Sequence, residues 1–405
     1  MHFSDLGFDD LLSPTSVDSF FEDYWEKKHL LIRRGDPSFY DSLLSFKSMD
    51  QCIAATRCGT APGTLVIVPP PGSDAEREHP DTRTLRAQQL YRAFHAGNTI
   101  RMSGIHSYWA PAAAVATMIG EALSASIGVN AYMTPASSQA FPAHFDTHDV
   151  IVMQVDGSKE WYIYSDGYDL PVETLNHVQD MTSRDVTRVD ESTVDVIQKT
   201  TLERGDFLYI PRGVPHKAVA TDSPSLHLTF GVHPFYWVDI VRRALDFAAT
   251  RNSDLRRSLP PGFASQPRSK EAMKTTFSEV AEAAFQNLDF KAAVNSLNVG
   301  VTGGHDYPPD GHFASLIAVD TIDADTPLER RKGLDCLVEV IETGARIRFA
   351  SNEIAGPPAI GEALRFVRDN RTFKPRDLPG PFADKSKVVL SKRLIREGLV
   401  RILEP

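Results

Sequence analysis

Two periodicities run along this chain, and the points where they change over divide it. In residues 15–28, TSVDSFFEDYWEKK, the aromatic positions Phe20, Phe21, Tyr24 and Trp25 fall at helical spacing, and Thr15 or Ser16 can cap the helix. HLLIRR at 29–34 reads as a short strand ending at Gly35-Asp36. Residues 69–82, PPPGSDAEREHPDT, are rich in proline and charge and predict an exposed loop. PAAAVATMIGEALSAS at 111–126 predicts a second helix with Pro111 at its start.

From about residue 129 the texture becomes β. VNAYMT, VIVMQV, KEWYIY, FLYI and LHLTFGV are short, β-branched and aromatic, with turn signals such as Asp156-Gly157 and Pro211-Arg212-Gly213 between them. That pattern predicts antiparallel strands in a barrel or jelly roll. VIVMQV-DGS-KEWYIY reads as a hairpin around its Asp-Gly pair. After about 236, WVDIVRRALDFAATR and FSEVAEAAFQNL predict helices, and NVGVTGGHDYPPDGHF at 298–313 reads as loop-rich. LVEVIETGARIRFAS predicts extended structure, AIGEALRFVRDN and KSKVVLSKRLIREGLV two amphipathic helices, and RILEP a trailing strand. Two helices with a small terminal hairpin suggest a winged-helix-like module.

At 405 residues the chain is long enough for two or three domains with a sizeable core. The net charge of −10 leaves no basic footprint for nucleic acid, and an acidic surface chiefly serves solubility. Cys52, Cys58 and Cys336 fit neither a disulfide framework nor a zinc-knuckle spacing, and read as reduced packing residues of a cytoplasmic protein. The opening MHFSDLGFDDLL has acids where a secretory signal would be basic, and no run of 18 apolar residues could span a membrane.

His144-Phe145-Asp146 carries the candidate chemistry. Side chains two apart on a strand share a face, so both could reach one ion. A third donor arrives with GDFLYIPRGVPH, where a strand and turn lead to His216. Two imidazoles and one carboxylate make the facial triad of non-haem iron(II), with three positions open for co-substrate and oxygen. A keto-acid co-substrate such as 2-oxoglutarate also needs a cation for its far carboxylate. Lys159 is placed for this, although period alone does not separate it from an exposed strand lysine between Ser158 and Glu160.

The segment NAYMTPASSQAFPAHFDTHDVIVMQVDGSKEWYIY, followed by GDFLYIPRGVPHKAVATDSPSLHLTFGV, closely resembles the JmjC-type ribosomal oxygenases, a cupin-like family of protein hydroxylases. FFEDYWEKKHLLIRR and AGNTI at 96–100 also look like that family. The resemblance implies an α+β chain with three parts. A double-stranded β-helix (cupin or jelly-roll) catalytic domain over 1–235 would precede a helical dimerisation region over 236–325 and a winged-helix-like domain over 326–405. It puts the metal on His144, Asp146 and His216, and the co-substrate's cation on Lys159, thirteen residues after the aspartate. Asn130 takes the place of an asparagine lining the co-substrate pocket, with Tyr132, Thr134 and Thr229 as further lining. His227 is expected to pack rather than ligate and His148 to form pocket wall, while no role is assigned to His233 or His106.

The implied reaction uses Fe(II), 2-oxoglutarate and O2, releases succinate and CO2, and hydroxylates a C–H bond of a protein or peptide substrate, ribosomal or biosynthetic. A small-molecule hydroxylase, an N-methyl demethylase and a catalytically silent cupin are the other readings. The helices after 236, with Trp237, Ile240, Val241, Leu245 and Phe247, suggest a homodimer. The five basic residues of KSKVVLSKRLIREG could form a DNA-reading face, but its apolar stripe favours a structural role, and nucleic acid is not an expected partner.

Overall fold

The alternation expected after residue 129 builds a sheet with two different faces. A computed structural model describes residues 6–56, 64–73, 86–175, 188–265, 267–304, 311–332, 334, 336–350 and 352–403. Cys58, residues 74–82 of the expected loop and the last two residues of RILEP lie outside them. Two compact units divide the chain, Met1–His233 and Pro234–Pro405.

In the first unit, α1 (Phe8–Leu12), α2 (Val17–Asp23), β1 (Leu30–Ile32), α3 (Phe46–Ala55), β2 (Leu65–Val68), α4 (Ala87–His95), β3 (Thr99–Ser103) and α5 (Ala110–Leu123) precede the main strands. These are β4 (Ala125–Thr134), β5 (Asp149–Tyr164), β6 (Val196–Leu202), β7 (Phe207–Ile210) and β8 (His216–Pro234). The strand order is β1-β7-β5-β8-β4-β3-β2, with β6 also paired to β5. Ser16 caps α2, its hydroxyl accepting from the Ser19 amide at 3.1 Å.

Period 2 sorts every strand. Val129, Ala131 and Met133 of β4, Leu226, Leu228, Phe230 and Val232 of β8, and Ile100 and Met102 of β3 pack into one core with Leu11, Phe20, Leu43 and Ile119 of the N-terminal segment. Burying each such side chain contributes roughly 1.5–3 kcal/mol. Residues of the opposite parity (Arg101, Asn130, Tyr132, His227, Thr229, Gly231 and His233) line a cavity on the other face. A second apolar cluster of Val150, Val152, Trp161, Ile163, Leu202, Leu208 and Ile210 fills the barrel interior.

The hairpin expected at Asp156-Gly157 does not form. β5 runs unbroken from Asp149 to Tyr164, and both its halves pair with β8, Asp149 with Val232 at one end and Ile163 with His216 at the other. Register shifts at Gln154/Asp156 and Gly157/Lys159 bend it instead. Gly157 sits at φ +59°, and a Cβ there would lie 1.7 Å from the Pro224 carbonyl oxygen, so only glycine fits this close approach. Asp-Gly serves a bulge as well as a hairpin turn, and the distant partner strand decided which one forms.

The second unit contains α6 (Trp237–Arg251), α7 (Pro267–Phe285), α8 (Phe290–Gly304), α9 (His312–Ala318), β9 (Leu328–Arg330), β10 (Leu337–Ile341), β11 (Gly344–Phe349), β12 (Asn352–Gly356), α10 (Gly361–Asp369), β13 (Thr372–Phe373), α11 (Asp384–Arg396) and β14 (Val400–Ile402). The loop-rich reading of 298–313 is overturned at 298–304, which continue α8 despite three glycines, and 305–310 lie outside the described residues. Two three-stranded sheets, β10-β11-β12 and β13-β9-β14, share a core that includes Ile347, Phe349, Leu364, Val367, Leu394, Ile395 and Leu399. Glu329 on the central β9 takes Arg371 at 3.0 Å and Arg401 at 2.6 Å from the two flanks. Four of the five basic residues of α11 face acids: Lys392 and Arg396 pair with Asp320, Arg393 with Glu397 and Lys387 with Asp384. No described helix is long and apolar enough to cross a membrane.

Candidate metal centre

Two connections deliver the candidate ligands. His144 and Asp146 lie between β4 and β5, and His216 opens β8 after the Pro-Arg-Gly turn. His144 is not on a continuous strand, as the spacing suggested. It makes a one-residue antiparallel bridge with His216, their amides and carbonyls exchanging bonds of 3.1 and 2.8 Å. The backbone thus brings together two histidines 72 positions apart in sequence.

A buried charge network fastens the same two segments. Asp149, just beyond the His-x-Asp stretch, is fully buried and accepts from Tyr209 Oη at 2.7 Å and Arg212 Nη1 at 3.2 Å. Arg212 also pairs with Glu26. The Gly213 amide donates to the Asp146 carbonyl at 2.9 Å. The turn before His216 is therefore tied to the chain around Asp146 by both main chain and side chain.

One donor atom from each of His144, Asp146 and His216 lies within 4.8 Å of the others. His216 Nε2 is 3.6 Å from an Asp146 oxygen. His144 Nδ1 faces the Pro142 carbonyl at 2.9 Å and His216 Nδ1 the Val214 carbonyl at 3.0 Å. A carbonyl only accepts, so both Nδ1 atoms carry hydrogen and both Nε2 atoms are left as donors to a cation. Burial, and then the neighbouring His144, push the His216 pKa down to about 4, which keeps the ring neutral. Burial alone would raise Asp146, but the imidazoles of His148, His144, His216 and His233 outweigh it and hold the carboxyl below its ordinary pKa. Two imidazoles presenting Nε2 and an ionised carboxylate on one side of a cavity fit a hexacoordinate divalent ion with open positions.

The cavity holds about 260 Å³, a volume suited to a small acid rather than a large cofactor. It is graded in exposure. Lys159, His227, Trp161 and the triad's His216 are buried, at 2%, 3%, 5% and 5% exposure, while the side chain of Asp146 is 31% exposed. Lys159 is thus not an exposed strand lysine. Its Nζ donates to Thr134 Oγ1 at 3.1 Å, and among the described residues no carboxylate pairs with it. Burial pushes its pKa down to about 7.

Asn130, Tyr132 and Thr229 line the same cavity. Thr134 stands behind Lys159, and its hydroxyl also accepts from Thr99 at 3.3 Å. His227 stacks on Tyr132 with ring centroids 5.0 Å apart and planes 7° from parallel, and Trp161 meets it edge-on at 5.7 Å. Burial, and then the Lys159 charge, hold the His227 pKa well below the usual imidazole value. His148 and His233 line the cavity beside Asp146, whereas His106 faces the Val129 amide elsewhere. Sequence reading missed Arg101, Trp161 and Gly231. Arg101 was available from parity, since it alternates with the apolar Ile100 and Met102 in TIRMS.

A family model described as JmjC domain matches residues 108–240. Over 256 residues the chain is 33% identical to the bifunctional lysine-specific demethylase and histidyl-hydroxylase NO66 of Aedes aegypti, which covers 62% of this chain and 39% of that protein. The NO66 protein of Culex quinquefasciatus is 32% identical over 252 residues, covering 61% of this chain and 38% of that protein. The chain thus spans about two fifths of the length of these relatives. Among solved structures, the ribosomal oxygenase YcfD of Escherichia coli in complex with cobalt and 2-oxoglutarate matches 96% of this chain and 99% of that one, with a TM-score of 0.56 at 15% identity. A further structure of E. coli YcfD gives a TM-score of 0.53 at 16% identity, over 96% of this chain and 99% of that one. Residues 108–240, which contain β4, β5 and β8 of the cavity, thus match a JmjC domain, and the chain shares the fold of the E. coli ribosomal oxygenase YcfD.

Proposed function

We propose that this chain is an Fe(II)- and 2-oxoglutarate-dependent oxygenase that hydroxylates an amino-acid side chain in a protein or peptide. One observation carries the reading. A buried lysine without a carboxylate partner and a His-Asp-His triad occupy one small cavity. The lysine is a costly group to bury. The distal carboxylate of a five-carbon keto diacid is the partner it lacks, and the keto-acid end would then face the triad.

Iron held by His144, Asp146 and His216 would supply positions for the keto acid and for oxygen activation. The remaining roles belong to the chain. Lys159 binds the distal carboxylate, and Thr134 holds the ammonium in place through its hydroxyl. Asn130, Tyr132 and Thr229 shape the pocket wall, and His227 and Trp161 exclude water from its buried end. The primary substrate approaches from the exposed end, past His148 and His233. The relatives named as histidyl-hydroxylases and the ribosomal oxygenase fold support a protein substrate. The relatives' names also include demethylase, which makes N-methyl oxidation the second reading.

The proposal extends to assembly. Trp237, Phe277, Phe285 and Phe290 of the 236–325 segment are exposed, Trp237 to 78%, and a second copy of this chain would cover them. The 326–405 segment is read as a winged-helix-like module with a structural role, supported by the acids that compensate α11. We read the chain as cytoplasmic, a compartment in which Cys52 and Cys336 would stay reduced.

The test is an anaerobic titration of 2-oxoglutarate into protein loaded with ferrous iron. A visible charge-transfer band should appear in wild type and be absent from His144→Ala. Iron present without a band would move the silent-cupin reading to first place.

A further inference from the structure

Outside the triad, the cavity contains a second pair of imidazoles. His148 and His233 have ring centroids 4.6 Å apart and planes tilted by 53°. The triad histidines His144 and His216 stand at 4.7 Å and 53°. The outer pair therefore repeats the spacing and tilt of the inner one. His148 also repeats its hydrogen bonding: Nδ1 faces the Asp149 carbonyl at 3.1 Å, which fixes the hydrogen on Nδ1 and leaves Nε2 as the donor.

The backbone makes room for this arrangement. A Cβ at Gly231 would lie 3.0 Å from His148 Cε1 and 3.2 Å from its Nδ1, so the ring lies against a position that glycine leaves open. Gly231 and His233 share the cavity-facing parity of β8, which brings the second imidazole alongside the first. Negative charge is close by, since Asp146 and Glu173 both act on His233.

We propose that His148 and His233 form a second site for a borderline divalent transition-metal ion, of the class of zinc, at the outer end of the cavity. Imidazole nitrogens bind such ions at about 2.0–2.1 Å, so two rings at this separation can share one ion, with water completing its shell. Two protein donors make the site weaker than the triad. An ion there stands between solvent and the triad and narrows the path of a bulky substrate. It leaves the Lys159 end of the cavity untouched. The inference does not depend on the oxygenase reading, because it concerns donors outside the triad.

The experiment is zinc titration of the metal-free protein by calorimetry, with metal analysis after gel filtration. Wild type should bind two zinc ions per chain, the second more weakly. His148→Ala and His233→Phe should each bind one, and His144→Ala should lose the tighter ion while keeping the weaker. Gly231→Ala, which removes no donor, should also lose the weaker ion by displacing the His148 ring. Circular dichroism and melting curves establish that each variant is folded, and His233→Phe preserves the packing volume should His148→Ala fail to fold. One ion per chain in wild type, or two in both folded outer-site variants, overturns the second site. Two ions in wild type that both survive in His144→Ala would count against the triad and leave the outer site standing.

Discussion

Replacing Lys159 with methionine should stabilise the metal-free protein and weaken its hold on 2-oxoglutarate. Burial lowers the lysine pKa from 10.5 to about 7. At about 1.36 kcal/mol per unit, those 3.5 units amount to about 5 kcal/mol against the charged form. Between pH 7 and 10.5 the unfolded chain holds a proton that the folded chain has released, so this group makes stability rise with pH across that window. Below pH 7 the full penalty applies. Methionine has a similar length and no charge, and the lost hydrogen bond to Thr134 costs about 0.5–1.5 kcal/mol. With some loss of packing, roughly 3 kcal/mol of stabilisation remains, or about 6–12 °C in Tm for a unit of this size. Melting curves at pH 6.5 and 9.5 check this, and the variant's advantage should shrink at the higher pH. Its Kd for 2-oxoglutarate should rise by about 30-fold or more, the usual cost of leaving a buried charge unpaired. A variant that melts below wild type at both pH values would refute the argument. So would a gain in Tm that does not vary with pH.

Other consequences can be checked directly. His144→Ala and Asp146→Ala should each lose bound iron by metal analysis, whereas His227→Ala should keep it, since that ring packs between Tyr132 and Trp161; iron loss in His227→Ala would mean that the ring ligates. Asp149→Ala leaves the buried Arg212 charge with Glu26 and the Tyr209 hydroxyl without its acceptor, and should cost about 1–3 kcal/mol in urea unfolding; a loss below about 0.5 kcal/mol would show the network to be dispensable. Wild-type affinity for 2-oxoglutarate should fall by up to about tenfold per pH unit above pH 7, because binding must return a proton to Lys159; a flat profile to pH 9 would count against that lysine as the partner. Light scattering of the full chain should give a dimer, and Trp237→Asp should shift it towards monomer; a wild-type monomer at micromolar concentration rejects the assembly.

Local patterns settled much of this protein before any fold was known. Strand parity separates Val129, Ala131 and Met133 from Asn130 and Tyr132, and Leu226, Leu228 and Phe230 from His227 and Thr229, because a pleated strand sends alternate side chains to opposite faces. The His-x-Asp pair and the distant His216 could be singled out because few residue types bind metal, and these fell in a β-rich stretch. Their convergence is another matter. The bridge between His144 and His216, the Asp149–Arg212 network and the pairing of His148 with His233 all join segments distant in sequence, and no local rule encodes which distant strands meet. The same holds for Asp156-Gly157, where a turn signal became a bulge because β8 pairs with both halves of β5. Lys159 shows the division most clearly. Its flanking residues are polar, so its sequence environment resembles a solvated strand, and only closure of the barrel around it decided that its charge would be buried beside the triad.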